Sequence, residues 1–321
     1  MPRRKLRHFP LLTGPGFCNI MTLIYLCKAV KNMQKLKTPR MMLVTAMATF
    51  GTLGLFVRNI PVASGELALY RAMMAALLLG GYFLVTGQPL GLRAIRRELP
   101  LLLFSGMAMG INWILLFEAY KYTTVSVATL SYYFAPVLVT LACPVLFQEK
   151  MGRKQWICFV MSTLGIVLIT GIGDMSGSDT HLTGILFGLG AALLYATVIL
   201  LNKFIRGVAG LQRTFLQFCA AIVILVPYVA VTGGVTLEKM DMVGWVNLLI
   251  VGLFHTGVTY CLYFSALKEM PGQEAAILSY IDPLVAVMIS VTLLGESMTI
   301  PQLIGGGLIL GFTLWNEMES K

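Results

Sequence analysis

The chain has 321 residues, of which 57% are hydrophobic and only 38 are charged, 24 Lys and Arg against 14 Asp and Glu. A soluble domain of this length carries about 25% charged residues, roughly 80. So few charges cannot cover a globule of this size, so a soluble enzyme is excluded, as are disordered and collagen-like chains. What remains is an all-α integral membrane protein whose solvent is the lipid bilayer.

Residues 1–40 hold nine of the basic residues, and the uncharged stretch Leu11 to Cys27 is broken by Gly14, Pro15 and Gly16. They read as a basic N-terminal extension, amphipathic or poorly ordered. A signal peptide would need a clean small-residue cleavage site, which is lacking. Met33 or Met41 is an alternative start.

Ten apolar stretches follow: 41–57, 67–86, 99–117, 124–147, 155–173, 182–202, 214–232, 243–267, 275–294 and 300–316. Each is 17 to 25 residues long, the length a helix needs to cross a hydrocarbon core of about 30 Å. Only two charged residues, Arg71 and Asp282, lie inside them. In lipid a backbone must satisfy its own hydrogen bonds, so the stretches are predicted as helices. With the N-terminus in the cytoplasm, 20 Lys and Arg fall on the inner side and 3 on the outer side (Arg58, Lys121 and Lys239). This asymmetry predicts a multi-pass inner-membrane protein with both termini cytoplasmic. The net charge of +10 is then a topology signal and not a nucleic-acid footprint. Six scattered cysteines lack CxxC spacing and read as free thiols, with no metal site.

Shifting the chain by 147 residues aligns 118–167 with 265–314 at ten identical positions, against roughly four expected by chance. Among them are Tyr133 with Tyr280, Pro136 with Pro283 and Glu149 with Glu296. Spans four and five therefore repeat as nine and ten. Five spans per half is an odd number, so the halves, 41–173 and 182–317, cross the membrane in opposite senses. Two inverted five-helix repeats are a transporter architecture, in which rocking one half against the other exposes a central site to each side in turn.

The motifs that carry a family resemblance lie in both halves. The second has Tyr263–Phe264–Ser265–Ala266–Leu267–Lys268, Ala275–Ala276, Asp282–Pro283, Leu294–Gly295–Glu296 and Gln302–Leu303–Ile304–Gly305. The first has Leu69–Tyr70–Arg71, Ala119–Tyr120–Lys121, Ala135–Pro136, Glu149 and Gln155–Trp156. In this order and duplication they resemble the drug/metabolite transporter superfamily, EamA type, over about 41–317. The resemblance implies a ten-span secondary transporter, often an exporter of amino acids or other small metabolites, with a small-molecule solute as its partner. Two positions depart from the family pattern: Phe147–Gln148–Glu149 replaces Leu-Gly-Glu, and position 282 is Asp where many relatives have Glu.

Asp282 is the leading candidate for substrate binding or proton coupling. A carboxylate deep in a membrane normally faces a cavity or a partner; the alternative is a packing hydrogen bond. Pro283 and its repeat mate Pro136 are candidate hinges, since a mid-span proline frees a carbonyl and kinks a helix. His255 falls at about the depth of Asp282, so the pair could relay protons or hold an amine; otherwise His255 is a packed donor. Arg71, about 6 Å inside the outer end of its span, could snorkel, pair with Glu66 or bind a substrate carboxylate. A direct Arg71–Asp282 bridge is not expected, because their depths differ by about 13 Å. Tyr133 and Tyr280, three residues before the paired prolines, are site-lining candidates, with Trp113, Tyr132, Tyr195, Tyr260 and Tyr263 near them. Asn112 and Ser279 are weaker polar candidates.

Glu149 and Glu296 read as structural, and Thr299 with Gln302 has capping-box spacing. The glycine pairs Gly106/Gly110, Gly184/Gly188 and Gly307/Gly311 suit close helix packing, and the last could support a homodimer. No cofactor is expected: Gly171-x-Gly173 lacks the strand and helix of a dinucleotide site. An intramembrane enzyme would need a second buried carboxylate, a metal cluster or a Ser/His/Asp set within the spans. The remaining rivals are a non-transporting membrane sensor or scaffold, and a channel, which would need a continuous polar stripe that the spans lack.

Overall fold

The computed structural model describes residues 39–87, 90, 92, 95–147, 152–170, 179–205, 207–208, 210–232, 235–269 and 278–318. The extension up to residue 38, Glu149 and the 171–173 glycine pair lie outside the described residues.

Among the described residues every regular element is helical, and ten spans follow the predicted order. They are α1 (Pro39–Gly51, continued by Leu53–Val57), α2 (Ser64–Thr86), α3 (Leu99–Tyr122), α4 (Val125–Tyr132 and Ala135–Phe147) and α5 (Arg153–Thr170). The second half has α6 (Asp179–Phe204), α7 (Gly210–Thr232), α8 (Met242–Leu249, a π-helical Ile250–Val258, then Thr259–Glu269), α9 (Ile281–Thr292) and α10 (Ile300–Met318). Among them, α1, α2, α3, α6, α7 and α8 are long and apolar enough to cross a membrane. The apolar pieces of α4, α9 and α10 are shorter, and Arg153 and Lys154 open α5.

Local chemistry sets the ends. Gly87 closes α2 in the left-handed region, at φ 64°, where a side chain would be strained. The Thr124 hydroxyl accepts from Val127 N–H at the start of α4, and the Asp241 carboxylate accepts from Gly244 N–H at the start of α8. The expected capping box at α10 is formed, with Thr299 N–H on Gln302 Oε1 and Gln302 N–H on Thr299 Oγ1.

The fourth span is not one continuous helix, as was expected; it breaks at Tyr133 and Phe134. Pro136 has no N–H to give the Tyr132 carbonyl, and its ring crowds that carbonyl. The same happens around Tyr280, where Pro283 cannot serve the Ser279 carbonyl. The two prolines thus stand in the first turn of a helix and not in mid-helix.

The packing repeats under addition of five to each helix number. Helices α3 and α6 pack together, as do α8 and α1; α3 with α7 matches α8 with α2; α4 with α6 matches α9 with α1. The pairs α2–α7, α4–α9 and α5–α10 map onto themselves, and all three are antiparallel. In α5–α10, Gly165 meets Ile309 and Gly305 meets Ile169. In α2–α7, Gly65 meets Tyr228 while Gly80 meets Phe215. In α4–α9, Val125 reaches Glu296 while Tyr133 reaches Asp282. Helices that correspond in the two halves therefore run in opposite directions, which is an inverted repeat.

Close approach depends on small residues. A Cβ on Gly106 would lie 2.4 Å from Gln217 O of α7, and one on Gly184 2.7 Å from Thr123 Cβ. Gly307 and Gly311 differ: a Cβ on either meets nothing within 4 Å. Large apolar side chains such as Leu77, Phe104, Leu186, Val223 and Leu303 lie exposed on the outside, as a lipid-facing surface requires.

Candidate functional site

Six side chains lie deep within the bundle yet keep part of their surface open: Tyr132 and Tyr133 of α4, Tyr195 of α6, Tyr260 and Tyr263 of α8, and Asp282 of α9. The space that these side chains surround is the candidate cavity. The cavity lies on the pseudo-two-fold axis, because the repeat mates Tyr133 and Tyr280 meet each other, with ring centroids 6.4 Å apart.

Asp282 sits in the first turn of α9, where the carboxylate complements the exposed N–H groups of the helix start. Its Oδ2 accepts from the Tyr133 hydroxyl at 2.6 Å, a short hydrogen bond. Tyr133 also reaches the Ser279 carbonyl at 3.4 Å, the group Pro283 leaves without its helical donor. The broken turns of both halves are thus joined by one phenol. Gly51 of α1 lies against the Asp282 carbonyl, so close that a Cβ there would stand 2.5 Å from it. The repeat position of Asp282 is Ala135, fully buried against Ala192 and Ala196. One half therefore supplies a carboxylate and the other only a packing contact.

Arg71 is a residue of α2. It is 2% exposed, so it does not snorkel. Its Nε donates to Thr256 Oγ1 at 2.9 Å, and its guanidinium carbon stands 4.4 Å from the Trp113 ring centroid and 5.3 Å from that of Phe117. Nη1 is buried with no hydrogen-bond partner. The expected Glu66 partner is occupied elsewhere: its carboxylate accepts from the backbone N–H and the hydroxyl of Thr236. Five residues of helix turn the two side chains about 140° apart, which explains the missing pair. No ion pair joins Arg71 to Asp282 among the described residues. Tyr120, Tyr132 and Tyr260 lie within electrostatic range of both charges. Aromatic contacts continue the wall: Tyr132 stacks on Tyr195 at 5.0 Å, Phe218 meets Tyr260 at 5.4 Å and Phe50 meets Tyr260 at 5.1 Å.

Of the two readings of His255, the structure shows the packed one, and no hydrogen bond joins it to Asp282 among the described residues. His255 Nε2 shares a hydrogen bond of 2.8 Å with Thr52 Oγ1, and Nδ1 faces the Ile250 carbonyl at 3.4 Å. The π-helical stretch of α8 explains this geometry: its wider turn sends His255 to α1 while Thr256, the next residue, reaches Arg71 on α2. Asn112 is also taken up by packing, donating to the Ala191 carbonyl of α6 at 2.6 Å.

The sequence profile of the EamA-like transporter family matches residues 39–171 and 182–316. The chain belongs to the EamA-like transporter family. An uncharacterised transporter of Bacillus subtilis is 30% identical over 82% of this chain and 84% of its own length. An uncharacterised transporter of Archaeoglobus fulgidus is 29% identical over 86% and 95%. The threonine/homoserine exporter RhtA of Escherichia coli is 28% identical over 88% and 94%. A solved crystal structure matches with a TM-score of 0.60 at 17% identity, covering 88% of this chain and 97% of that one; it supports the fold alone. This EamA-like chain is a multi-pass membrane transporter and not an enzyme.

Sequence reasoning missed several parts of the EamA-like cavity. Thr256, Thr52, Phe50 and Phe218 looked like ordinary span residues, and only helix rotation tells them apart; Tyr120 was noted only as part of a family motif beyond the end of the third predicted span. Glu296 was read as fixing its own turn, and it does accept from Ser290 within α9. It also pairs with Arg58 at 2.5 Å and accepts from Val125 N–H, so it ties the second repeat to the first.

Proposed function

We propose that this transporter exports a small polar metabolite, an amino acid or a similar solute, across the inner membrane by alternating access. Asp282 is the ionisable element, exchanging its Tyr133 partner for a proton or for a cationic group of the solute. One observation carries the reading: the Asp282–Tyr133 hydrogen bond joins the broken turns of α9 and α4 across the repeat axis. Rocking of the halves must move these two helices relative to each other, so occupancy of Asp282 is read directly by the moving interface. The threonine/homoserine exporter among the relatives supports the direction and the solute class. The Lys and Arg asymmetry supports an orientation with both termini cytoplasmic. His255 and Asn112, each bonded to a neighbouring helix, hold the wall in place.

The test is counterflow in proteoliposomes with a labelled panel of amino acids and small metabolites, comparing wild type with Asp282→Asn. The proposal expects exchange of at least one solute by wild type and loss of exchange in the variant. Undiminished exchange by Asp282→Asn would reduce Asp282 to a packing residue.

A further inference from the structure

We propose that Arg71 is the carboxylate-binding group of this cavity, and that the solute is therefore a singly charged organic carboxylate, amino acids included. This rests on the transporter reading and specifies which end of the solute the cavity grips.

The first ground is charge. Arg71 is 2% exposed in the middle of an apolar bundle, and no ion pair joins it to another of the described residues. A guanidinium stays protonated under all ordinary conditions, and an uncompensated buried charge is strongly unfavourable in so apolar a setting. Such a site is satisfied by an anion that comes and goes.

The second ground is geometry. A guanidinium offers N–H groups in a planar fork that matches the two oxygens of a carboxylate. Thr256 takes Nε at 2.9 Å and so fixes the plane of the group. Trp113 and Phe117 hold its carbon at 4.4 Å and 5.3 Å from their centroids. Nη1 is left buried and unpartnered. Thr256 is itself anchored, since its hydroxyl donates to the Val251 carbonyl across the π-helical turn at 2.8 Å. A rigid fork with a free prong is the form of a recognition group and not of a packing residue.

The third ground is the count of charges. The titratable groups within electrostatic range of Arg71 are Tyr260, Tyr120 and Tyr132, which are neutral phenols, and the His255 imidazole, which is bonded to Thr52. With no Lys or second Arg among them, one negative charge is matched, whereas a phosphate ester dianion would leave a charge uncompensated. The tyrosines lead from Arg71 toward Asp282, so the remainder of the solute extends along an aromatic wall to a carboxylate.

The experiment is counterflow of a labelled neutral amino-acid mixture, challenged by excess unlabelled amino acids, their amides, their decarboxylated amines and the corresponding 2-hydroxy acids. Wild type is compared with Arg71→Gln, Arg71→Lys and Thr256→Val, each first shown by size exclusion to be folded. Amino acids and 2-hydroxy acids are expected to compete at least about tenfold better than amides and amines. Arg71→Gln is expected to lose this acid-over-amide preference, and Arg71→Lys to recover part of it. Thr256→Val, which only positions the fork, is expected to raise KM for acids more than it lowers kcat. Equal competition by amides in wild type, or an intact preference in Arg71→Gln, overturns the proposal. Exchange confined to solutes without a carboxylate overturns it too, while leaving the transporter reading standing. Absence of exchange for every solute class removes both.

Discussion

Tyr133 does two things at once, and they can be separated. Its ring packs against Tyr132 and Tyr280, and its hydroxyl holds Asp282. Tyr133→Phe keeps the ring and removes the donor. Hydrogen bonds to charged groups contribute about 1.5–3 kcal/mol, so Tyr133→Phe is expected to lower exchange by about tenfold or more and to lower the thermal midpoint in detergent as well. Asn112 should affect stability alone. Its bond to the Ala191 carbonyl joins α3 to α6, and interhelical hydrogen bonds in membranes contribute about 1 kcal/mol. Asn112→Leu is therefore expected to lower the thermal midpoint and to leave the preference among solutes unchanged, which a competition panel would check. At this scale the sequence was informative for charge and silent for direction. Arg71 and Asp282 stood out because a charge inside an apolar span needs a reason. His255 stood out equally, but its partner depends on helix rotation, and the π-helical stretch that sets that rotation leaves no mark in hydropathy.

Whole helices meet through two devices, glycine contacts and an inter-repeat ion pair. Gly165 and Gly305 bring α5 and α10 together so closely that a Cβ on either would stand within 2.6 Å of the other's carbonyl oxygen. Gly165→Val or Gly305→Val is expected to force the pair apart and lower the yield of monodisperse protein on size exclusion. Gly307→Leu and Gly311→Leu face open space, so the chain's own fold is expected to survive them; a shift of the elution volume alone would instead reveal a dimer contact there. Glu296 serves α4 and the α1–α2 connection together, through Val125 N–H and Arg58. Glu296→Ala leaves a helix N-terminus and a cation without their acceptor, and a loss of about 1–3 kcal/mol is expected, read as a lower thermal midpoint. The spans themselves were legible because lipid admits only helices of a certain length. The breaks at Tyr133 and Tyr280 were half legible: the prolines announce them, but the placement of the break one turn earlier follows from the carbonyl each proline crowds.

At the scale of the molecule, ten spans form two halves related by an inverted repeat, and the cavity lies where the halves meet. A shift of 147 residues was enough to detect the relationship, because the Tyr–x–x–Pro pattern and the following glutamate recur in both halves. It could not say which helices touch. That follows from packing: equivalent helices meet in three antiparallel pairs, and the α4–α9 pair carries the bond between Tyr133 and Asp282. The central claim is that this bond couples the occupancy of the cavity to the movement of the halves. The most direct measurement is counterflow of the amino-acid and metabolite panel in proteoliposomes, run in parallel for wild type, Tyr133→Phe and Asp282→Asn. The account predicts exchange by wild type, reduced exchange by Tyr133→Phe and loss of exchange in Asp282→Asn, all three proteins being equally folded. Wild-type rates in both variants would contradict it.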